Sequence, residues 1–150
     1  MPTLVVNAGS SSHKLVLFGN TGERLWSGAI DWSDRGGALA QSQGQLLQAL
    51  EEQLERMSSA GHASGSIGLV GHRIVHGGDH FRSTVALDEE VAQELSELRR
   101  LAPLHNGPAL DTLAVLQELL PAASHVAAFD TAFHSSLPLF ASKHRIRSSP

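Results

Sequence analysis

The chain has 150 residues, of which 41% are hydrophobic and 17% charged, and its 15 acidic and 11 basic residues give a formal net charge of -4. This length and apolar content predict one folded domain with a packed core. The acidic balance argues against a nucleic-acid partner, and the lack of cysteine excludes disulfides, thiolate zinc sites and a cysteine nucleophile. Since no apolar run reaches membrane-spanning length and no leader is evident, we expect a cytoplasmic protein with no membrane partner.

The first third of the chain predicts three antiparallel strands. Residues 4–6 and 13–18 are β-rich runs separated by a turn of small residues, which is typical of a hairpin. The second run alternates, with Lys14 and Leu15 on opposite faces. A turn follows, and residues 25–30 predict the third strand.

The middle of the chain predicts two helices around one strand. Apolar residues at helical spacing predict a helix over residues 38–57. A Gly/Ser/Ala loop over residues 58–66 then leads into a strand over residues 67–75. Asp88 is placed to cap the second helix, and the arginines at 99–100 are expected in its last turn, where positive charge suits the helix dipole.

The last predicted elements are a helix and a strand. Pro108 is a favoured first-turn residue and predicts a helix start there, and Pro121 ends that helix near residue 120. Residues 125–129 form an apolar run that predicts a strand. The order β-β-β-α-β-α-α-β predicts an α/β domain with a mixed sheet and helices on its faces.

The segment NAGSSSHK over residues 7–14 suits phosphate binding. Small residues allow close approach of the backbone, while three hydroxyls and Lys14 add hydrogen-bond donors and positive charge. Asn7 offers an amide oxygen to a metal or its water shell. The segment is neither a Walker A loop nor a G-x-S-x-G nucleophile elbow, since His13 interrupts the latter. An ordinary hairpin loop with a solvated lysine is the alternative.

The segment GHRIVHGGDHF over residues 71–81 suits a short carboxylic acid. In a strand, Arg73 and Val75 share one face, which places a guanidinium beside a small apolar wall. A structural ion pair of the arginine is the alternative. His72, His76 and His80 are four residues apart, which would suit metal binding only in a helix, and the glycines and β-branched residues argue against a helix here.

Two further segments carry candidate polar groups. In LAPLHNGP, His105 is expected in the loop before the helix that Pro108 opens, where helix-terminal N–H groups favour anions. In AAFDTAFH, Asp130 directly follows an apolar strand, and ligands of α/β sheets bind at the carboxyl ends of strands. A helix-capping neighbourhood for His105 and a turn-capping role for Asp130 are the alternatives.

Together the four segments resemble the acetate kinase family, which includes propionate and butyrate kinases. The resemblance covers residues 3–142 in the family's order, with NAGSSS-x-K and HRIVHGG as its most specific motifs. It implies the first half of an actin/hexokinase-type (ribonuclease H-like) fold: a mixed sheet with an antiparallel N-terminal three-strand unit and flanking helices. It also implies transfer of the γ-phosphoryl group of ATP to acetate or another short-chain carboxylate, with Mg²⁺ as cofactor.

The resemblance implies a role for each matching motif position. Acetate is ionised at neutral pH and has no proton to lose, so we expect Asp130, the implied active-site carboxylate, to orient Arg73 or a metal-bound water rather than act as a base. His105 would contact the phosphoryl group in transfer. The remaining implied residues are Asn7 for Mg²⁺; Lys14, Ser10, Ser11 and Ser12 for the ATP phosphates; Arg73 for the carboxylate; and Val75 and Leu104 for the methyl pocket.

The sequence departs from the family pattern in three places. His13 stands where the family usually has leucine and Gly107 where it usually has proline, and we expect both to be tolerated. Residues 1–142 are expected to form the N-terminal domain, followed by a divergent basic tail over residues 143–150 and no second domain. The second half would supply the adenosine pocket and the usual dimer contact, so we expect the isolated chain to be inactive. A truncated, non-catalytic remnant or a phosphate/carboxylate-binding module is the alternative function.

Overall fold

Six strands and three α-helices occur in the described part of the chain, which in this computed structural model comprises residues 1–74, 84–99 and 103–129, without the side chains of residues 98 and 103–106. None of the helices in these ranges is long and apolar enough to cross a membrane. The elements in chain order are β1 Thr3–Ala8, β2 Ser12–Phe18, β3 Arg24–Asp31, α1 Gln43–Ser59, β4 Leu69–Ile74, β5 Val85–Ala86, α2 Glu89–Leu98, α3 Pro103–Leu119 and β6 Ser124–Phe129.

The strands form one mixed sheet in the order β3-β2-β1-β4-β6-β5. The first three strands are antiparallel, as the sequence predicts, whereas β1, β4 and β6 run parallel to one another. Parallel strands end at the same edge of a sheet, so the carboxyl ends of β1, β4 and β6 lie side by side. β5 was not predicted, because a two-residue strand is too short to show alternation.

The two faces of the sheet differ in how they are covered. Leu4, Val6 and Ala8 of β1 point to one face and are buried, and the same alternation runs through the other central strands. All three helices pack on this closed face. They form two clusters of buried apolar side chains, one between the sheet and helices α1 and α3 and the other between the sheet and helices α2 and α3. The opposite, open face carries partly exposed residues such as Val5 and Val16.

The start of α1 differs from the sequence prediction. Residues 38–40 form a separate 3-10 turn, and α1 begins at Gln43 rather than at 38. Ser42 caps the helix because the Gln45 N–H donates to its hydroxyl at 3.1 Å, while the Ser42 N–H donates to the Gln45 side chain at 2.7 Å. This reciprocal capping box fixes the helix start more strongly than the apolar spacing that predicted it.

Asp88 caps α2 as predicted, since its carboxylate accepts the Val91 N–H at 2.8 Å. The predicted basic last turn is wrong, because α2 ends at Leu98. Arg99 forms the C-cap and pairs instead with Asp111 of α3 at 2.6 Å, with both side chains partly exposed. The positive charge of Arg99 therefore links α2 to α3, whereas the prediction had placed it in the last turn of α2, where it would interact with the dipole of that helix.

The prediction that a helix starts at Pro108 is wrong by five residues. α3 begins at Pro103, which occupies the first-turn position that favours proline, and Pro108 lies inside the helix. Two prolines were available, and the sequence pattern selected the second. As a consequence, Leu104 and His105 lie in the first turns of α3 rather than in a loop before it.

Candidate functional site

Three polar residues form a row across the open face, near the carboxyl end of β1. Lys14 of β2 pairs directly with Asn7 of β1. Val6 pairs with His72 on the other side, so the next residues along these parallel strands, Asn7 and Arg73, are also neighbours. All three side chains of the row are exposed. Neighbouring strands lie about 4.8 Å apart, so the backbones of Lys14 and Arg73 are separated by about 10 Å.

The predicted alternation of β4 is confirmed. Arg73 is exposed, whereas His72 and Ile74 on either side of it are buried. The guanidinium therefore emerges on the same face as Lys14. One cationic residue therefore lies on each side of Asn7, an arrangement suited to binding anions.

The loop over residues 9–11 connects β1 to β2 beside this row, and its carbonyl groups are tied down. The Ser10 carbonyl accepts the Ala38 N–H at 2.7 Å, and the Ser11 carbonyl accepts the Trp32 N–H at 2.8 Å. The side chains of Ser10 and Ser11 are exposed, and that of Ser12 is partly buried. Because the backbone is held from behind, the hydroxyls remain available to an anion in front of the loop.

Two glycines permit this close packing of the loop. A Cβ atom on Gly9 would lie 3.1 Å from the Ser12 carbonyl oxygen. A Cβ atom on Gly37 would lie 3.2 Å from the Ser10 carbonyl oxygen, and the backbone there is left-handed, with φ of 92°. The small residues of NAGSSS thus meet a second small residue from the segment that follows β3. A compact, hydroxyl-bearing loop of this kind fits phosphate oxygens.

His13 lies directly behind the loop, buried on the closed face. The Trp32 indole N–H donates to its Nδ1 at 2.9 Å. Nδ1 is therefore unprotonated, so Nε2 carries the proton and donates to the Thr112 hydroxyl oxygen at 2.7 Å. Burial lowers the pKa of His13 to about 4, which keeps the ring neutral at pH 7. The predicted tolerance of histidine here has a physical basis, because both ring nitrogens are satisfied.

Two further buried histidines, His72 and His125, form a pair on the closed face, next to Arg73 in sequence. The His125 Nε2 donates to the Leu120 carbonyl at 3.0 Å, so its Nδ1 accepts from the Nε2 of His72 at 3.0 Å. Burial and, secondarily, the neighbouring His125 lower the pKa of His72 to about 3. His72 thus holds β4 to β6. His76 and His80, the other two histidines at this four-residue spacing, lie outside the described residues.

Some predicted site residues fall beyond the described ranges. Val75 and Asp130 lie outside them, as do the side chains of Leu104 and His105 and the tail over residues 143–150. Within the described ranges, no group of three or more histidine, aspartate or glutamate side chains is placed to hold a metal ion. Asn7 presents an exposed amide oxygen on the open face, a ligand type that magnesium accepts.

Comparison with known proteins identifies the family. Residues 2–149 match the model of the Acetokinase family, and the chain belongs to that family. It is 35% identical over 154 residues to an acetate kinase of Protochlamydia amoebophila (strain UWE25), a match that covers 89% of this chain and 39% of that protein. It is 39% identical over 150 residues to acetate kinase 2 of Vibrio cholerae, covering 90% of this chain and 38% of that protein.

Solved structures agree with the sequence comparison. The fold matches the crystal structure of an acetate kinase from Porphyromonas gingivalis with a TM-score of 0.74 and 29% identity, over 88% of this chain and 38% of that one. A propionate kinase from Francisella tularensis gives a TM-score of 0.73 and 26% identity, over 90% and 38%. The predicted actin/hexokinase-type fold is confirmed. The chain spans about two fifths of the length of the curated relatives it matches.

Proposed function

We propose that the open face forms the phosphate and carboxylate surface of an acetate-kinase-like phosphotransferase. The reaction would pass the γ-phosphoryl group of ATP to acetate or another short-chain carboxylate. The observation that carries the proposal is the row of Lys14, Asn7 and Arg73, which lies beside the loop over residues 9–11. The proposal assigns this surface to the N-terminal domain predicted over residues 1–142.

The charges of the row suit two anions that must meet. Arg73 presents a planar fork that matches the two oxygens of a carboxylate, and Lys14 presents a compact positive charge to phosphate oxygens. The two anionic substrates repel each other in water, and a cation beside each lowers the cost of bringing them together. Positioning and charge neutralisation of this type provide most of the catalysis in phosphoryl transfer.

Mg²⁺ would neutralise charge on the transferring phosphate, and the amide oxygen of Asn7 would assist its binding. Asp130 follows β6 where Arg73 lies on neighbouring β4, so we propose that its carboxylate orients Arg73 or a metal-bound water. His105 would approach the transferring phosphoryl group from α3. Val75 and Leu104 would form the apolar wall against the substrate methyl group.

Turnover by the 150 residues alone is expected to be below detection. The described residues present one surface, whereas a kinase site must surround the phosphoryl group and exclude water from it. Removing one group that stabilises the charge of the transition state typically raises the activation barrier by about 2.7–4 kcal/mol, and phosphoryl transfer needs several such groups. Binding without turnover is also what the alternative, a phosphate/carboxylate-binding module, requires. A cytoplasmic location fits the proposal because ATP is supplied there.

Calorimetric titration of the chain with Mg·ATP and, separately, with acetate tests the proposal. Lys14→Met is expected to weaken Mg·ATP binding roughly tenfold and leave acetate binding within twofold, and Arg73→Ala is expected to do the reverse. Arg24→Ala is the charge-matched control, because Arg24 is exposed and pairs with Phe18, at the end of β2 opposite to Lys14. Equal losses in the control, or losses of both ligands in each variant, would contradict the proposal. A hydroxamate assay for acetyl phosphate on the same samples tests the expected lack of turnover, and ATP-dependent product would show that these residues suffice for catalysis.

A further inference from the structure

We propose that His13 is a positioning residue: its hydrogen bonds hold the loop over residues 9–11 in a fixed position relative to helix α3. The inference rests on the proposed function only for the identity of the loop's ligand. His13 lies in β2 between Ser12 and Lys14, two of the residues proposed to face phosphate. Its own side chain points the opposite way, into the closed face. Any shift of His13 therefore moves the backbone of both neighbours.

The hydrogen bonds of His13 form a continuous path from α3 to the loop. Thr112 of α3 accepts from Nε2 at 2.7 Å, and the Trp32 indole donates to Nδ1 at 2.9 Å. The backbone N–H of the same Trp32 donates to the Ser11 carbonyl at 2.8 Å. His13 and Thr112 are 99 residues apart in sequence, so this path joins elements that no local motif connects.

The polar character of this contact distinguishes it from ordinary packing. Trp32 is fully buried and its ring meets that of His13 edge-on, at a centroid distance of 5.6 Å. A leucine at position 13 would fill similar space, but it would leave the Trp32 N–H and the Thr112 hydroxyl without these bonds. Hydrogen bonds depend on direction as well as distance, so the histidine fixes the orientation of the loop and not only its proximity.

The position of α3 matters because it carries His105, seven residues before Thr112 and therefore about 10 Å along the helix axis. The proposed function has the loop hold the donor phosphates and His105 contact the group in transfer. A misplacement of about 1 Å between such groups is enough to slow a reaction markedly. Through His13, the loop and the helix that bears His105 are held in one fixed relation.

Four variants of the chain test this role. His13→Leu keeps bulk and removes both bonds, and Thr112→Val keeps shape and removes the acceptor. Thr112→Ser restores a hydroxyl and serves as the conservative rescue. Leu54→Ala, at a buried position of α1, is the control for general destabilisation. Amide hydrogen exchange of residues 9–14 is measured for each, together with dissociation constants for tripolyphosphate and for acetate.

We expect His13→Leu and Thr112→Val to speed exchange in residues 9–14 roughly tenfold and to weaken tripolyphosphate binding roughly three- to tenfold. Acetate binding should stay within twofold, Thr112→Ser should behave as the wild type, and Leu54→Ala should not act selectively on the loop. Uniformly faster exchange with parallel loss of both ligands would overturn the inference and leave His13 a core residue only. If the wild type binds no tripolyphosphate, the proposed function fails, and loop exchange alone then supports or overturns the positioning role.

Discussion

The two faces of the sheet use neighbouring residues for opposite purposes. His13 and His72 point into the closed face, where burial holds the pKa of each well below its ordinary value and every identified contact is structural. Lys14 and Arg73, the next residues along the same strands, point to the open face and are exposed. Because side chains alternate along a strand, a residue that stabilises the domain and a residue that can bind a ligand stand next to each other in sequence.

This separation also explains how the described strands hold three buried histidines, His13, His72 and His125, that are not grouped to bind a metal. The closed face satisfies histidine nitrogens with a threonine, a tryptophan, a second histidine and a backbone carbonyl. The rings of His13 and His72 stay neutral at pH 7 because burial lowers their pKa values, and they contribute hydrogen bonds rather than charge. The cations of the site remain on the face that water reaches. Apart from His13 and Thr112, which contact the back of the loop, changes on the closed face should therefore act on stability and changes on the open face on binding.

Adjacent residues of β2 give the largest expected contrast in stability. Leu17 is fully buried on the closed face, whereas Val16 is partly exposed on the open face. Leu17→Ala is expected to lower the free energy of unfolding by about 2–5 kcal/mol, because it leaves a cavity, and Val16→Ala by about 1 kcal/mol or less. Urea denaturation followed by circular dichroism measures both. Similar losses in the two variants would mean that the faces are equally covered.

The next contrast is between His72 and Arg73. His72→Ala is expected to lower the free energy of unfolding by about 2–4 kcal/mol, since it opens a cavity and removes the partner of the buried His125 Nδ1. Arg73→Ala should lower it by less, about 1 kcal/mol or less for an exposed charged residue, and act on carboxylate binding instead. Urea denaturation and acetate titration of both variants test this. Equal effects on acetate affinity would show that the faces of β4 are assigned incorrectly.

The pH dependence of stability should report the buried histidines. In the folded chain the pKa values of His13 and His72 lie near 4 and 3, against 6.5 when unfolded, so below pH 6.5 the unfolded chain takes up protons that the folded chain does not. Stability should be complete above about pH 7 and fall by up to about 1.4 kcal/mol per pH unit for each histidine as the pH drops toward 5.

Urea denaturation between pH 7.5 and 5 measures this slope, and His13→Leu serves as the test variant. Removing one of the two histidines should flatten the slope, although the variant is less stable at neutral pH. A slope that is unchanged in the variant would contradict the buried, neutral state of His13. The chosen range stays above the titration of exposed carboxylates such as Asp31, whose pKa a hydrogen bond from Ser33 lowers.

The smallest expected effect concerns the cap of α1, which covers the closed face. Ser42→Ala removes the hydroxyl that accepts the Gln45 N–H and should lower the free energy of unfolding by about 1 kcal/mol. Ser58→Ala, an exposed position near the other end of the helix, is the matched control and should be close to neutral. Ligand affinity should stay constant in both. A loss of Mg·ATP affinity in Ser42→Ala alone would couple the two faces.

The strands were predictable because alternation is a local signal. The burial of Leu15 and Leu17 against the exposure of Lys14 follows from counting by two, and the exposure of Arg73 follows likewise. Helix starts were less predictable, because they depend on which cap or proline is used. Apolar spacing alone did not distinguish Ser42 from residue 38, or Pro103 from Pro108.

The candidate site was predictable where its parts are contiguous in sequence. The loop, Lys14 and Arg73 are found from short motifs and strand alternation. The contacts that hold the loop from behind are not, because Trp32 and Thr112 reach His13 from elements 19 and 99 residues away. Nothing in the composition around Thr112 singles it out from the other polar residues of α3. Its role follows only from the packing of α3 against β2.

The most direct test of the account is to map ligand binding onto the two faces by nuclear magnetic resonance. Backbone amide shifts of the ¹⁵N-labelled chain would be followed while Mg·ATP and then acetate are added. We expect the largest shifts on addition of Mg·ATP in residues 7–14, and those on addition of acetate at Arg73, all at the open face. Shifts confined to α1 and α2, which cover the closed face, would contradict it.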